Sequence, residues 1–183
     1  KNGFIEVPHE GGPPAFVAAD LVATPHPQLP ALEQVVYAPV FARDGTLLGD
    51  PGHHAVEALW YEEIRQITPI SMTVPQARAV LEDWLVDFPF ATPADKAHAL
   101  GLYLLPYVRR LVDGPTPVHL IEAPQCGTGK SLLGQVLLSV AYGRAISGSA
   151  WDPREEERKK TITTFLTTGR QVVFFDNVKG RIE

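Results

Sequence analysis

The sequence predicts an α/β fold, and three features of its C-terminal part lead to that prediction. Residues 118–123 form an apolar run that is typical of a buried strand. A loop with two glycines follows, and apolar residues then recur at helical spacing, namely Leu133, Val136, Leu137 and Val140. A second apolar run over residues 171–175 ends in Asp176 and predicts another core strand. This alternation of strands and helices is typical of α/β proteins.

Residues 1–68 are predicted to form a small β-rich module. Asp44 and Gly45 stand between apolar flanks, a pattern typical of a β-hairpin turn. The other elements predicted in this module are strands at residues 4–7, 35–37 and 59–61 and a short helix at residues 14–22.

His53 and His54 lie close to Asp50 in the sequence and raise the alternative of a metal site. Adjacent histidines point to opposite sides of an extended chain, and the sequence offers no obvious third ligand. We therefore expect a solvated loop at this position.

Residues 69–114 are predicted to form a helical linker whose apolar stripes belong to the core. Thr92, followed by proline and then by an acid three residues after it, marks the start of the second helix. Pro106 lies inside the stripe of that helix, so we expect a kink or a break there. Arg109 and Arg110 are expected to form a solvated helix end rather than a DNA contact.

Residues 115–183 contain the pattern of a phosphate-binding loop between the first predicted strand and helix. Backbone N–H groups of such a loop and of the first helical turn point at an anion, and the helix dipole favours negative charge there. Lys130 would neutralise the β- and γ-phosphates of ATP, and the Ser131 hydroxyl would bind Mg²⁺. The candidate residues for binding these cofactors are Gln125, Cys126, Gly127, Thr128, Gly129, Lys130, Ser131 and Leu132.

The loop departs from the G-x-x-x-x-G-K-[ST] pattern at one position, where Pro124 replaces the first glycine. Proline has no N–H to offer, but this position mainly serves the turn rather than the phosphate. A glycine-rich turn that binds nothing is the alternative. The flanking strand and helix favour phosphate binding.

Asp176 is the candidate second ligand of Mg²⁺, because it ends a buried-strand run as the metal-binding aspartate of phosphate-loop enzymes does. The candidate catalytic residues are Lys130, Asp176 and Asn177, and the candidate metal ligands are Ser131 and Asp176. An ordinary core strand followed by an Asp-Asn turn is the alternative. The phosphate-loop pattern earlier in the chain makes the metal site the favoured interpretation.

Between the loop and Asp176, the sequence predicts a second strand at residues 145–147 and a further helix with Asp152 as its N-cap. The solvated face of that helix is predicted to carry two ion pairs at four-residue spacing, Glu155 with Lys159 and Glu156 with Lys160.

The composition is that of an ordinary globular protein, with 45% hydrophobic and 20% charged residues. A net charge of −5 argues against coating nucleic acid by bulk electrostatics, although a local basic groove would still fit. Cys126 is the only cysteine, which excludes an intramolecular disulfide and a cysteine metal cluster. No apolar run approaches the length of a membrane span and no signal peptide is recognisable, so no membrane contact and a cytoplasmic location are expected.

Four phrases of the sequence resemble, in this order, the DNA primase/helicase-type P-loop ATPases of bacteriophages and integrated elements. They are LPALEQVVYAPVFARDGTLL with DPG shortly after it, DFPF, APQCGTGKSLL and VVFFDNV. The resemblance spans nearly the whole chain and implies an AAA+-like or superfamily-3-like ATPase that uses ATP and Mg²⁺. It also implies work on DNA as a homo-oligomer, usually a ring. The expected fold is then a P-loop NTPase three-layer core, incomplete at its C-terminus, after the β-rich module and the helical linker.

The sequence departs from that family in two ways. Many such ATPases have a glutamate beside the metal-linked aspartate, whereas Asn177 here can orient water but cannot accept its proton. In that fold, a strand with a polar sensor lies between the P-loop strand and the Asp176 strand, and an arginine finger comes later. Both would lie beyond Glu183, so the chain is expected to be a fragment that binds ATP but hydrolyses it poorly.

The expected function is ATP binding, and hydrolysis in the full-length protein, within a DNA helicase or primase-type replication protein of a phage or integrated element. Two alternatives stay open. One is a nucleotide-binding regulatory or defence ATPase that does not unwind DNA, and the other is a non-enzymatic interaction module whose loop has lost its nucleotide. DNA-stimulated ATPase activity separates the motor from the regulator, and nucleotide binding separates both from the module.

Overall fold

The structure is a computed structural model that describes residues 14–24, 30–68, 70–125 and 127–178. The chain forms two compact units, residues 1–31 and residues 32–183. The described residues combine five α-helices with three small sheets, which is a mixed α/β structure. The finer division at residues 68 and 114 stays a prediction. None of the described helices has the length and apolar character that crossing a lipid bilayer requires.

The first unit contains helix α1 (Ala15–Ala23), which confirms the helix expected at residues 14–22. At its end the Thr24 hydroxyl donates a hydrogen bond to the Asp20 carbonyl (2.7 Å). No side chain of α1 is buried. The strand expected at residues 4–7 lies outside the described residues.

The second unit begins with five short strands. They are β1 (Gln34–Val36), β2 (Val40–Phe41), β3 (Leu47–Leu48), β4 (Gly52–His54) and β5 (Leu59–Tyr61). β5 is the centre of a three-stranded sheet, parallel to β1 and antiparallel to β4. β2 and β3 form the expected hairpin, in which the Thr46 N–H donates to the Asp44 carboxylate (2.8 Å). Leu59 and Tyr61 are almost completely buried and form a small core with Val36 and Val40.

His53 and His54 lie in β4 rather than in the expected solvated loop. The two residues stand opposite Trp60 and Leu59 of β5, so backbone pairing with that strand holds them extended. The His54 ring nitrogen Nε2 lies 2.8 Å from the Asp50 carbonyl. Within the described ranges, no group of three or more metal-ligating side chains comes together.

Two helices follow, α2 (Val74–Trp84) and α3 (Pro93–Val108). The start predicted for α3 is confirmed, because the Thr92 hydroxyl accepts from the Asp95 N–H (3.2 Å) while the Asp95 carboxylate accepts from the Thr92 N–H (2.9 Å). α3 continues two residues past Pro106 and then tightens into a 3-10 turn. A proline so close to the helix end removes few helical hydrogen bonds, which explains why the helix passes it.

Arg110 is not the solvated helix end that the sequence predicts. Its Nη2 lies 2.7 Å from Oε2 of Glu57 and also donates to the Glu57 carbonyl (2.8 Å). The side chains of Arg110 and Glu57 are only 12% and 14% exposed. This pair joins the 3-10 turn that follows α3 to the 3-10 turn before β5, which ends at Glu57.

Replacing Arg110 by alanine should lower the free energy of unfolding by about 3 kcal/mol, because the Glu57 carboxylate is left largely buried without its partner. Arg78→Ala is the matched control, since the Arg78–Glu82 pair is exposed and such surface pairs add little to stability. Urea unfolding followed by circular dichroism measures both variants. Equal losses would show that the Arg110–Glu57 pair adds no more stability than a surface ion pair.

The remaining elements are α4 (Lys130–Tyr142), β6 (Ser149–Ala150), α5 (Glu155–Thr167) and β7 (Phe175–Asp176). β6 and β7 pair in parallel, with Ala150 opposite Asp176. α3 and α4 pack together over a buried cluster that is formed by Leu85, Ala99, Leu133 and Leu137.

Residues 118–123 do not form the expected strand. A strand exists only as part of a hydrogen-bonded ladder, and no described segment pairs its backbone with this run. The side chains of Val118 and Leu120 are 91% and 62% exposed. β7 likewise covers only the end of the apolar run at residues 171–175. Residues 145–147 do not form the expected strand, and β6 begins two residues after them.

α5 begins after Arg154 rather than after Asp152. The Asp152 carboxylate accepts from the Arg154 N–H (2.8 Å) in a turn that precedes the helix, so it cannot cap the helix itself. The ion pair predicted between Glu155 and Lys159 forms, with 2.6 Å between its charged atoms. Lys160 does not pair with Glu156 as predicted but with Glu157, at 2.8 Å.

Candidate functional site

The loop before α4 adopts a backbone conformation that glycine takes easily. Gly127 and Gly129 have φ angles of 80° and 85°, in the left-handed region that is costly for residues with a Cβ. The Thr128 hydroxyl donates to the Gln125 carbonyl (3.2 Å) and closes the loop on itself. Cys126 lies outside the described residues.

The N-terminus of α4 leaves backbone N–H groups without partners in the helix. Gly129 is the N-cap, no side chain caps the helix, and the first turn contains no acid. The Leu133 N–H donates to the Gly129 carbonyl (2.8 Å), so the N–H groups of Lys130, Ser131 and Leu132 precede the first helical hydrogen bond. Such an end attracts anions through both its N–H groups and the helix dipole. Leu132 can contribute only its backbone there, because its side chain is apolar.

Lys130 places a positive charge at the same point. It is the first residue of α4 and is half-buried. Among the described residues, no carboxylate forms an ion pair with it. Its charge is therefore not neutralised within the described part of the chain and is available to a bound anion.

Ser131 and Asp176 are in direct contact although 45 residues separate them in the sequence. The Ser131 hydroxyl donates to Oδ1 of Asp176 over 2.7 Å. The start of α4 positions the serine, and the pairing of β7 with β6 positions the aspartate. The structure therefore brings together the two side chains that the sequence nominates as metal ligands.

Asn177 follows Asp176 with a φ angle of 54°, a conformation that asparagine tolerates better than most residues. Its backbone N–H donates to the same carboxylate oxygen, Oδ1 of Asp176 (2.8 Å). No described group donates a hydrogen bond to Oδ2 of Asp176. That oxygen therefore retains its full capacity to accept a hydrogen bond or bind a cation.

Two glycines that sequence reasoning missed make this arrangement sterically feasible. A Cβ atom on Gly148 would lie 2.7 Å from Cβ of Asp176, and one on Gly134 would lie 3.1 Å from the ring of Phe174. Gly148 therefore allows the chain before β6 to lie against Asp176, and Gly134 allows α4 to lie against the segment before β7. A glycine just ahead of a strand is the only sequence signal that could have drawn attention to Gly148.

An open cleft of about 1610 Å³ adjoins these groups. Its polar wall includes Gly127, Lys130, Ser131, Asp176 and Asn177, and its apolar wall comes from the runs at residues 117–121 and 172–175. Within the described ranges, Nε2 of His119 is buried without a hydrogen-bond partner on this apolar side. Burial raises the pKa of the Tyr142 hydroxyl, which also lines the cleft and donates to the Gln171 carbonyl (3.4 Å).

The donor set fits Mg²⁺ better than a softer metal. A hydroxyl and a carboxylate are hard oxygen ligands, and Mg²⁺ is usually bound by one or two carboxylates together with water and phosphate oxygens. Ser131 and Asp176 supply such ligands next to an anion-attracting helix end. The arrangement can therefore hold a phosphate and a hard cation side by side.

No protein-family model, no curated protein and no solved structure matches this chain.

Proposed function

We propose that this chain binds ATP with Mg²⁺ at the N-terminus of α4. The observation that carries the proposal is the 2.7 Å hydrogen bond between Ser131 and Asp176. In phosphate-loop enzymes, the serine or threonine after the loop lysine and an aspartate after a later strand hold one Mg²⁺ ion. Ser131 and Asp176 lie far apart in the chain, and a shared Mg²⁺ ion would account for their contact.

In this proposal, each described residue of the site has one task. The backbone N–H groups of residues 127–132 bind phosphate oxygens, and Lys130 neutralises the β- and γ-phosphates. Ser131 and Asp176 hold Mg²⁺, which when bound supplies positive charge to the phosphate oxygens. The catalysis would consist of positioning and charge stabilisation rather than covalent chemistry.

Asn177 has the remaining role, the orientation of the attacking water. Its side-chain amide can donate and accept hydrogen bonds but cannot take up a proton at neutral pH. Slow hydrolysis is therefore expected even where nucleotide binding is tight. Because Asn177 is exposed and lines the cleft beside Asp176, it can reach a water molecule there.

We also propose that residues 115–183 belong to the core of a P-loop NTPase fold. Residues 118–123 and 172–175 line one cleft without pairing with each other. In the fold that the sequence resemblance implies, a further strand lies between these two segments. We propose that residues 118–123 become a strand when such a neighbour is present, since their apolar sequence suits a sheet buried on both faces.

The wider role that we propose is the ATPase of a DNA helicase or primase-type replication protein that acts as a homo-oligomer. The sequence resemblance supports it, and the contacts of the site are compatible with any ATP-binding protein of this class. DNA-stimulated ATP hydrolysis by the full-length protein would support the motor. ATP binding and hydrolysis that DNA does not change would favour the regulatory or defence ATPase instead.

Magnesium dependence tests the central proposal. ATP should bind the unmodified chain at least about tenfold more tightly with Mg²⁺ than with excess EDTA, and Ser131→Ala should lose that difference. Ser139→Ala is the matched control, because Ser139 lies on the same helix and, among the described residues, its hydroxyl bonds only to the Val136 carbonyl (3.5 Å). Titration calorimetry measures all three proteins. No binding heat from ATP under either condition would overturn the proposed function.

A further inference from the structure

Phe88 packs against the glycine at which the loop enters α4. A Cβ atom built on Gly129 would lie 3.5 Å from Cε1 of Phe88 and 4.0 Å from Cδ1. Both are ordinary van der Waals distances, so the ring covers the side of Gly129 where other residues carry a side chain. Apart from the residues adjacent to Gly129 and its own helix, no other described group comes within 4 Å of that position.

Gly129 depends on such a contact because its own local support is weak. It has a φ angle of 85° and lacks the capping side chain that normally fixes the first turn of a helix. A glycine also has more backbone freedom than any other residue. Packing from outside the loop therefore adds to the Leu133–Gly129 hydrogen bond in fixing the direction of the N–H groups at this turn.

The backbone of Phe88 is fixed by two hydrogen bonds. Its N–H donates to the Leu85 carbonyl (3.2 Å), and its carbonyl accepts from the Phe90 N–H (3.0 Å). The ring also packs against the buried cluster that contains Leu85 and Leu133. Because the Leu133 N–H bonds to the Gly129 carbonyl, the cluster and the end of the loop share one helical turn.

From these contacts we propose that Phe88 is a positioning residue for the phosphate-binding loop. Its ring fixes the backbone at Gly129 and the first turn of α4, and so couples the segment between α2 and α3 to the affinity for the ligand. The identity of that ligand, ATP with Mg²⁺, rests on the proposed function. Phe88 acts through the backbone of Gly129, so its removal changes loop geometry and leaves the charges of the site in place.

The test compares Phe88→Ala with Phe90→Ala in the whole chain. Both substitutions remove a phenyl ring that packs on the same buried cluster, but only the Phe88 ring lies within 4 Å of the Cβ position of Gly129. We expect Phe88→Ala to weaken ATP·Mg²⁺ binding about tenfold in titration calorimetry and Phe90→Ala to change it by less than about twofold. Phe88→Leu, which keeps a large apolar side chain, should recover most of the affinity. Equal ATP affinity in the two alanine variants overturns the positioning role.

Hydrogen exchange in the ligand-free proteins separates this inference from the proposed function. The Leu133 amide, which bonds to the Gly129 carbonyl, should exchange about tenfold faster in Phe88→Ala than in Phe90→Ala by NMR, whether or not ATP binds. Equal exchange overturns the positioning role. Faster exchange together with no ATP binding by the unmodified chain supports the positioning role and overturns the proposed function. If circular dichroism shows that Phe88→Ala has lost its fold, Phe88→Val and Phe90→Val, which keep a smaller apolar side chain than leucine, replace the alanine pair in both measurements.

Discussion

Replacing Lys130 by alanine should weaken ATP·Mg²⁺ binding by roughly 100-fold or more, the cost of removing one partner from a close charge contact. Lys130 begins α4, is half-buried, and forms no ion pair with a described carboxylate. The substitution therefore breaks no ion pair among the described residues, and the loss of affinity reports the contact with the phosphates. Alanine also suits a helix, so the fold should persist.

Lys159→Ala provides the control for net charge. It removes the same charge from α5, where Lys159 is 74% exposed and pairs with Glu155. Titration calorimetry measures the ATP·Mg²⁺ affinity of the two variants and of the unmodified chain. If Lys130→Ala binds ATP·Mg²⁺ as tightly as the unmodified chain, the phosphates do not lie at this helix end.

Gly148→Ala should abolish most of the Mg²⁺-dependent part of the ATP affinity, a loss of at least about tenfold. The new Cβ would lie 2.7 Å from Cβ of Asp176, a distance that such atoms essentially never show, so one of the two segments must move. Since β6 and β7 are only two residues long, their pairing offers little resistance to that movement. The Ser131–Asp176 contact would then be lost without any change to a ligand atom.

Gly101→Ala and Asp176→Ala serve as the two reference variants. Gly101 lies in α3 with open space around its Cβ position, so alanine there should stabilise the protein by about 0.5–1 kcal/mol and leave ATP binding unchanged. Asp176→Ala should lose the same Mg²⁺ dependence as Gly148→Ala. Combining the two should cause little further loss, because residues that act as one unit are not additive. Additive losses in the double variant would mean that Gly148 acts elsewhere.

The features that were predictable from the sequence are those set by neighbouring residues. Thr92 and Asp95 cap α3 through each other's backbone, and Asp44 closes its hairpin turn within three residues. The start of α4 after Gly129 belongs to this class as well, since glycine, lysine and the apolar spacing of the helix are contiguous. Such local interactions need no knowledge of the remaining fold.

The features that escaped prediction depend on segments far apart in the chain. Arg110 meets Glu57 across 53 residues, and nothing in the neighbourhood of either residue indicates the other. The contacts of Phe88 with Gly129 and of Gly148 with Asp176 have the same character. Residues 118–123 failed as a strand for a related reason, because an apolar run indicates the ability to pair but not the presence of a partner.

The short distance between Ser131 and Asp176 has a consequence for how the site would take up its ion. Two adjacent ligands of an octahedral Mg²⁺ ion, each about 2.0–2.1 Å from the metal, lie about 2.9 Å apart. The two oxygens here are already 2.7 Å apart, because a hydrogen bond holds them. Uptake of the ion would then require little more than rotation of the hydroxyl proton away from the carboxylate. In the proposed site, these two side chains would therefore need little rearrangement to receive the ion.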